Sequence, residues 1–325
     1  MCIRDRSGIG VITNPRSRAN RKNPHLAKRL GYILGERGQL EQPADLDALD
    51  ATAAHFRERD IDILCVNGGD GTLHKAMTAM CRAYGDAPLP KVAILRGGTM
   101  NTIAKGMGIF GRPPELLDAV VDAYHQDRPL PTVHRWVLRV DDHYGFLFGT
   151  GVMARYLAAY YEGSEPSPTK AAWVLAQAVA SALVGGKFAR SLVEPEPLVV
   201  HADGTPWHPQ AYVSVGAGTV DDVGLGFRPF YLAPAHPGHM HAVGMATSLS
   251  GVVRSLPTIW RAREPADPDI VGQVAKTLVL ESDSPIQYML DGDVFTGGRR
   301  VELTVSRVVE FVQLDLRTLS RRIGG

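Results

Sequence analysis

One carboxylate stands among three glycines in Gly68-Gly69-Asp70-Gly71-Thr72, directly after the apolar run Ile61–Asn67 and before a helical pattern through Thr72–Tyr84. The first N–H groups of a helix have no partner inside it and carry partial positive charge, and glycine removes the Cβ that would keep an anion away from them. The turn therefore suits a phosphate, and Asp70 within it suits a Mg²⁺ ion or the proton of a hydroxyl. The other reading is a plain strand-to-helix turn in which Asp70 or Thr72 caps the helix.

Two more turns point the same way. Gly97 and Gly98 separate the apolar run Lys91–Leu95 from a helical pattern expected over Thr99–Met107, where Thr99 and Asn101 can bond phosphate or ribose. After a first strand, Gly8–Thr13, the polar stretch Thr13–Pro24 offers Arg16, Arg18 and Arg21 to an anion, although alone it would read as a solvated basic loop. Adjacent parallel strands put such turns at the carboxyl edge of a sheet, where α/β folds bind ligands. Three turns on one edge favour a nucleotide site. The G-x-x-x-x-G-K-[ST] loop and the H-R-D and D-F-G signatures are missing, which excludes P-loop enzymes and protein kinases.

Later in the chain, Asp291 and Asp293 flank Gly292 in YMLDGDVF, a strong hairpin signal in its own right. Asp221 and Asp222 lie in a glycine-bearing loop, Gly216–Phe227. His236, His239 and His241 imitate zinc spacing but have no carboxylate or cysteine beside them to complete a catalytic set.

The elements that position these residues change type along the chain. With 325 residues, 45% of them hydrophobic, the chain can bury a sizeable core in two domains. Residues 7–131 alternate short apolar strands with helices, expected over Pro24–Arg37, Leu46–Arg59 and Pro114–Tyr124, as βαβ units of a parallel sheet require. Residues 132–325 carry short period-two strands separated by Gly, Pro and Asp turns, an all-β domain expected to be a sandwich. One helix, about Thr169–Leu183, interrupts it, with core packing its expected role and an acyl-chain entrance or bilayer docking the other.

Composition closes further options. A net charge of +1 gives no footprint for nucleic acid. Cys2, Cys65 and Cys81 have neither disulfide-framework nor zinc spacing, and Cys65 reads as a small buried hydrophobe, so a reducing cytoplasm is expected. Met1–Arg6 is charged, leads into no long apolar stretch and is set aside from the fold. The longest apolar region, Ala171–Val184, is shorter than the roughly 20 residues of a membrane span, so the expectation is a soluble protein.

In order, Asn14-Pro15-Arg16-Ser17, GGDGTL, GGTMNTIAKGMG and the late LDGD resemble the diacylglycerol kinase catalytic-domain superfamily, which includes sphingosine and ceramide kinases and, more distantly, NAD kinases. The resemblance runs over nearly the whole chain from Gly8. It implies an NAD-kinase-like α/β domain followed by a β-sandwich, with ATP and Mg²⁺ between them. It implies that Asn14, Pro15, Arg16, Ser17 and Arg18 line the phosphates, that Gly68, Gly69, Asp70, Gly71 and Thr72 form the main phosphate turn, and that Gly98, Thr99 and Asn101 add nucleotide contacts. It makes Asp293 the acceptor of the lipid hydroxyl proton with Asp291 beside it, Asp70 the second choice for that role, and Asp222 the residue of a structural Mg²⁺ site. Three departures stand out: His74 and Lys75 where the family carries Glu, Asp293 where it carries the longer Glu, and Val152–Arg155 where it places an Asp that meets the lipid headgroup.

The expected activity is ATP-dependent phosphorylation of a lipid hydroxyl, diacylglycerol-type or sphingoid-type, at a membrane surface, by a cytoplasmic enzyme with peripheral membrane contact; a homodimer is compatible with it. An NAD kinase shares the first glycine turn but should carry an N-x-x-D-type motif, which does not follow the second strand group. A non-catalytic nucleotide- or lipid-binding protein on the same scaffold is the third reading.

Overall fold

The computed structural model describes residues 8–36, 38–161, 167–183 and 186–316. Met1–Arg6 and Arg37 lie outside them. The chain divides into two compact units, Met1–Arg135 with Val309–Gly325, and Trp136–Val308.

In the first unit, strands β1 (Ile9–Thr13), β2 (Gln39–Glu41), β3 (Ile63–Asn67) and β4 (Lys91–Ile94) are parallel in the order β2-β1-β3-β4. Between and after them run helices α1 (Arg18–Lys22), α2 (Leu26–Leu34), α3 (Leu46–Glu58), α4 (Asp70–Tyr84), α5 (Thr102–Gly106) and α6 (Pro113–His125). Every residue of β1 and β3 is buried, as strands covered on both faces must be. The helices present apolar stripes to the sheet: Leu26, Leu30 and Leu34 on α2, and Leu49, Ala53 and Phe56 on α3. Gly10 makes room for α3, since a Cβ there would lie 2.8 Å from the Phe56 ring. Asp45 caps α3 by accepting the Ala48 N–H at 2.8 Å, and Gly35 ends α2 at φ 67°. Burial pushes the Cys65 thiol up to about 12, consistent with an inert core residue.

The second unit is antiparallel. One sheet has the order β14-β13-β12-β7-β16-β17, from β7 (Leu147–Thr150), β12 (Ser214–Gly218), β13 (Met240–Met245), β14 (Ile270–Ala275), β16 (Gln287–Leu290) and β17 (Asp293–Thr296). The other contains β9 (Val199–Ala202), β10 (Thr205–Pro206), β15 (Thr277–Glu281) and β18 (Arg300–Val312), with β5 (Thr132–Val140) and β6 (His143–Gly145) attached; β8 (Glu196–Pro197) and β11 (Ala211–Tyr212) form a separate short pair. Inward residues of both sheets, among them Phe148, Val215 and Tyr288 on one and Val200, Leu278 and Leu303 on the other, form a single core, the sandwich expected. Both β5 and β18 pass from one unit to the other, and β18 ends beside β4 with Phe311 opposite Val92.

Some elements depart from the sequence reading. Helix α4 starts at Asp70, two residues early, and α5 at Thr102, three residues late. The second unit holds α7 (Val152–Tyr161), α9 (Lys187–Leu192) and α10 (Leu249–Trp260) besides α8 (Pro168–Leu183). Helix α10 was hidden by Gly251, two valines and the interior Pro257, yet Ser248 caps it by accepting the Gly251 N–H at 3.3 Å. Helix α8 is not core: of its described side chains only Ala171 and Val174 are buried. No described helix is long and apolar enough to cross a membrane.

Candidate functional site

In the first unit the chain leaves β1 towards β2 on one side and β3 towards β4 on the other. Neighbouring strands β1 and β3 therefore form the switch point of the sheet, and open α/β sheets bind ligands outside the carboxyl ends of such strands. The three turns foreseen from the sequence follow β1, β3 and β4.

A buried polar knot ties them together. Asn67, at the end of β3 and fully buried, donates from Nδ2 to Thr13 Oγ1 at 2.6 Å and Asn20 Oδ1 at 3.2 Å. Asn20 donates in turn to the Asn14 carbonyl at 2.6 Å and Ser17 Oγ at 3.1 Å. The Asn14 backbone N–H meets the Asn67 carbonyl at 3.0 Å, its side chain donates to Thr72 Oγ1 at 2.9 Å, and the Ala19 N–H meets the Gly97 carbonyl at 2.9 Å. Thr13, Asn20 and Asn67 were not singled out in the sequence. Thr13 and Asn67 signal themselves only as polar residues closing two apolar strands, and Asn20, within α1, carries no local signal.

The glycines serve packing. A Cβ on Gly98 would lie inside contact distance of Gly69 Cα and 2.9 Å from its nitrogen; one on Gly97 would strike the Asn67 side chain, and one on Gly68 the side chain of Thr72. The second and third turns thus press together backbone to backbone. Asn101, left-handed at φ 48°, spans its turn by accepting the Gly98 N–H at 3.1 Å and donating to the Gly98 carbonyl at 3.1 Å. Asp70 does not project alone. Its two oxygens accept the Thr102 and Ile103 N–H groups at 3.0 and 3.2 Å, capping the neighbouring α5.

Toward a ligand this edge offers the start of α4, where Leu73 makes the first i to i−4 bond, to the Gly69 carbonyl at 3.0 Å. Beside it lie half-buried Gly69, Gly71 and Thr99, with Pro15, Arg16, Arg18 and Arg21 exposed. Ser17 is buried at the start of α1. Lys75 is exposed on α4 and His74 is buried.

In the second unit, Leu290 pairs with Asp293 across a two-residue turn whose central residues, Asp291 and Gly292, have φ 48° and 96°. Positive φ at both positions is the I′ hairpin that Asp-Gly favours. Asp291 is 5% exposed; Oδ1 accepts the Phe146 and Leu147 N–H groups at 3.0 and 2.8 Å, and Oδ2 also lies 3.0 Å from the Phe146 N–H. It pins the hairpin to the bend before β7. Asp293 is half-buried and two residues before Phe295, which stacks on Tyr288 at 5.5 Å. Removing the Asp291 carboxylate strands two buried donors, each worth about 1–3 kcal/mol. Asp291→Ala is expected to lower stability by about 3 kcal/mol and to release the Phe146 and Leu147 amides to hydrogen exchange; unchanged protection of those amides would refute the clamp.

Asp222 accepts the Gly224 N–H at 2.7 Å, and Asp221 lies 3.9 Å from Arg228. Among the described residues no group of three His, Cys, Asp or Glu side chains gathers as a metal cage. Mg²⁺ takes one or two carboxylates from a protein and completes its shell with waters and phosphates, a need that adjacent Asp221 and Asp222 could meet in part. His241 is fully buried, and burial first, then His236, holds its imidazole down at about 4. Arg155, in the Val152–Arg155 stretch, pairs with Glu196 and donates to the carbonyls of Leu192 and Glu194 at 3.1 and 2.6 Å. It anchors α7 to the segment after α9.

The family model of the diacylglycerol kinase catalytic domain matches residues 8–130. The match is to this segment of the chain. The match spans the four parallel strands and all three turns of the polar knot, and it stops before the acidic hairpin. No curated protein matches the chain. Among solved structures, the chain resembles a diacylglycerol kinase from Bacillus anthracis str. Sterne at 14% identity, over 95% of this chain and 98% of that one, with a TM-score of 0.64. It also resembles a candidate diacylglycerol kinase of the same organism at 14% identity, over 96% and 98% of the two chains, with a TM-score of 0.70. At that identity the likeness concerns the fold, and it extends through both units.

Proposed function

We propose that the chain is an ATP-dependent lipid kinase. Residues 7–131 serve as its nucleotide-binding domain and 132–325 as the β domain that presents the acceptor. The observation that carries this reading is the knot of three turns at the sheet's switch point, inside the segment that the diacylglycerol kinase catalytic domain model matches. Backbone amides at the start of α4, with Thr99, take the phosphates, and exposed Arg16 and Arg18 neutralise them. Asn14, Ser17, Thr72, Gly98 and Asn101 keep the turns in register. Mg²⁺, carried on the nucleotide and, at a second site, beside Asp222, supplies charge neutralisation when bound.

Phosphoryl transfer asks mainly for positioning and electrostatic stabilisation. The lipid hydroxyl oxygen forms the new bond to the γ-phosphorus, the bond to the bridging oxygen breaks, ADP leaves, and the hydroxyl proton passes to the Asp293 carboxylate. Asp291 positions the hairpin that carries Asp293. Asp70, with its oxygens committed to α5, is assigned to positioning ahead of proton transfer.

The test incubates the purified chain with radiolabelled ATP, Mg²⁺ and, separately, diacylglycerol, sphingosine, ceramide and NAD. Label in an organic-extractable product is the expected result, and it names the acceptor. Label in NADP would replace the reading with NAD kinase, and ATP binding without transfer would replace it with a binding protein.

A further inference from the structure

Among its described side chains, helix α8 leaves Ala172, Trp173, Ala176 and Ala180 exposed. Trp173 is 62% exposed and Trp260, at the end of α10, is 54% exposed. Between the two helices lies an apolar groove of about 590 Å³, lined by Leu175, Ala176 and Val179 of α8, by Leu225 and Phe227, and by Trp260. Such a face on an enzyme surface calls for an occupant.

Charge identifies its chemistry. From Ser167 to Val193 the chain carries Lys170, Lys187 and Arg190 and no carboxylate; from Ser248 to Arg263 it carries Arg254, Arg261 and Arg263 and again none. The whole chain balances 35 basic residues against 34 acidic ones, so six cations to no carboxylate is a local excess. All but Lys170 are exposed. Asp267, which Arg254 reaches electrostatically, also accepts the Thr247 hydroxyl at 2.7 Å. Exposed tryptophans beside an apolar groove, flanked by cations, match a bilayer interface with anionic headgroups. A second copy of the chain fits poorly, because a two-fold contact through this face would set like charges against each other.

We propose that the α8–α10 face docks on an anionic phospholipid bilayer, with Trp173 and Trp260 entering the headgroup layer and the flanking Lys and Arg side chains meeting lipid phosphates. The choice of a membrane rests in part on the lipid acceptor proposed above. Docking is nevertheless measured without nucleotide, so failure of the kinase reading would show in the transfer assay and leave the vesicle result standing.

The experiment sediments the full chain with vesicles of phosphatidylglycerol and phosphatidylcholine, and with phosphatidylcholine alone. Binding is expected to need phosphatidylglycerol and to weaken by roughly tenfold or more in high salt, because each cation near an anionic surface contributes about fivefold. Trp173→Ala with Trp260→Ala, and separately Arg254→Glu with Arg261→Glu, should each lower partition roughly tenfold while circular dichroism stays unchanged. All four residues are exposed, so the second pair keeps the test open if the first unfolds. Undiminished binding in both double variants would overturn the proposal. So would equal binding to neutral vesicles, or a dimer broken by the Trp variants in a chain that ignores lipid.

Discussion

Asp293→Asn is expected to lower phosphoryl transfer by about 10³-fold while ATP affinity stays within a few-fold. General-base assistance contributes about 10²–10⁴, and an amide of the same size cannot accept the proton. Geometry is not the variable here. The hairpin is closed by backbone pairing of Leu290 with residue 293 and pinned by Asp291 to the Phe146 and Leu147 amides, contacts that do not use the Asp293 side chain. Asp293→Glu, which lengthens the side chain by one methylene, should keep measurable activity. Asp70→Asn makes the contrast. It leaves one oxygen for the two amides that Asp70 now serves, so the third turn loosens and ATP affinity and turnover should fall together. Transfer to lipid measured beside ATP titration separates the two. If Asp70→Asn stopped turnover with affinity intact while Asp293→Asn stayed active, the proton would belong to Asp70.

Gly98→Ala is expected to weaken ATP binding by about 10²-fold, the scale on which a displacement of about 1 Å acts at a positioned site. The new methyl group meets Gly69 backbone atoms, so no side chain can swing aside and the second and third turns must part. Gly31→Ala is the control, since a Cβ there meets nothing within 4 Å in the middle of α2. That change should leave binding unaltered and add about 0.5–1 kcal/mol of stability. Calorimetric titration of both variants decides the point. ATP affinity within twofold of the parent in Gly98→Ala would remove the fused turns from the nucleotide site.

The two substitutions also show how far the sequence carried. Apolar runs too short for helices, closed by glycines after β3 and β4 and by the polar stretch Thr13–Pro24 after β1, were enough to place these strands and their turns, because strands covered on both faces need continuous hydrophobicity. Period-two runs between Gly, Pro and Asp turns were enough for the sandwich, and Asp291-Gly292 announced its hairpin because few other pairs accept positive φ twice.

Sequence could not show what the polar side chains at those places would bond. Asp70 caps α5, 32 residues away; Asn67 bonds Thr13, 54 residues away; Asp291 takes an amide 145 residues away. Such partners are set by which strands become neighbours, a property of the folded sheet that no local spacing encodes. The same reason hid the return of β18 to β4 and the exposure of α8. An apolar helix reads identically whether a core or the surrounding solvent meets it, and only the tertiary structure decided that Trp173 faces outward.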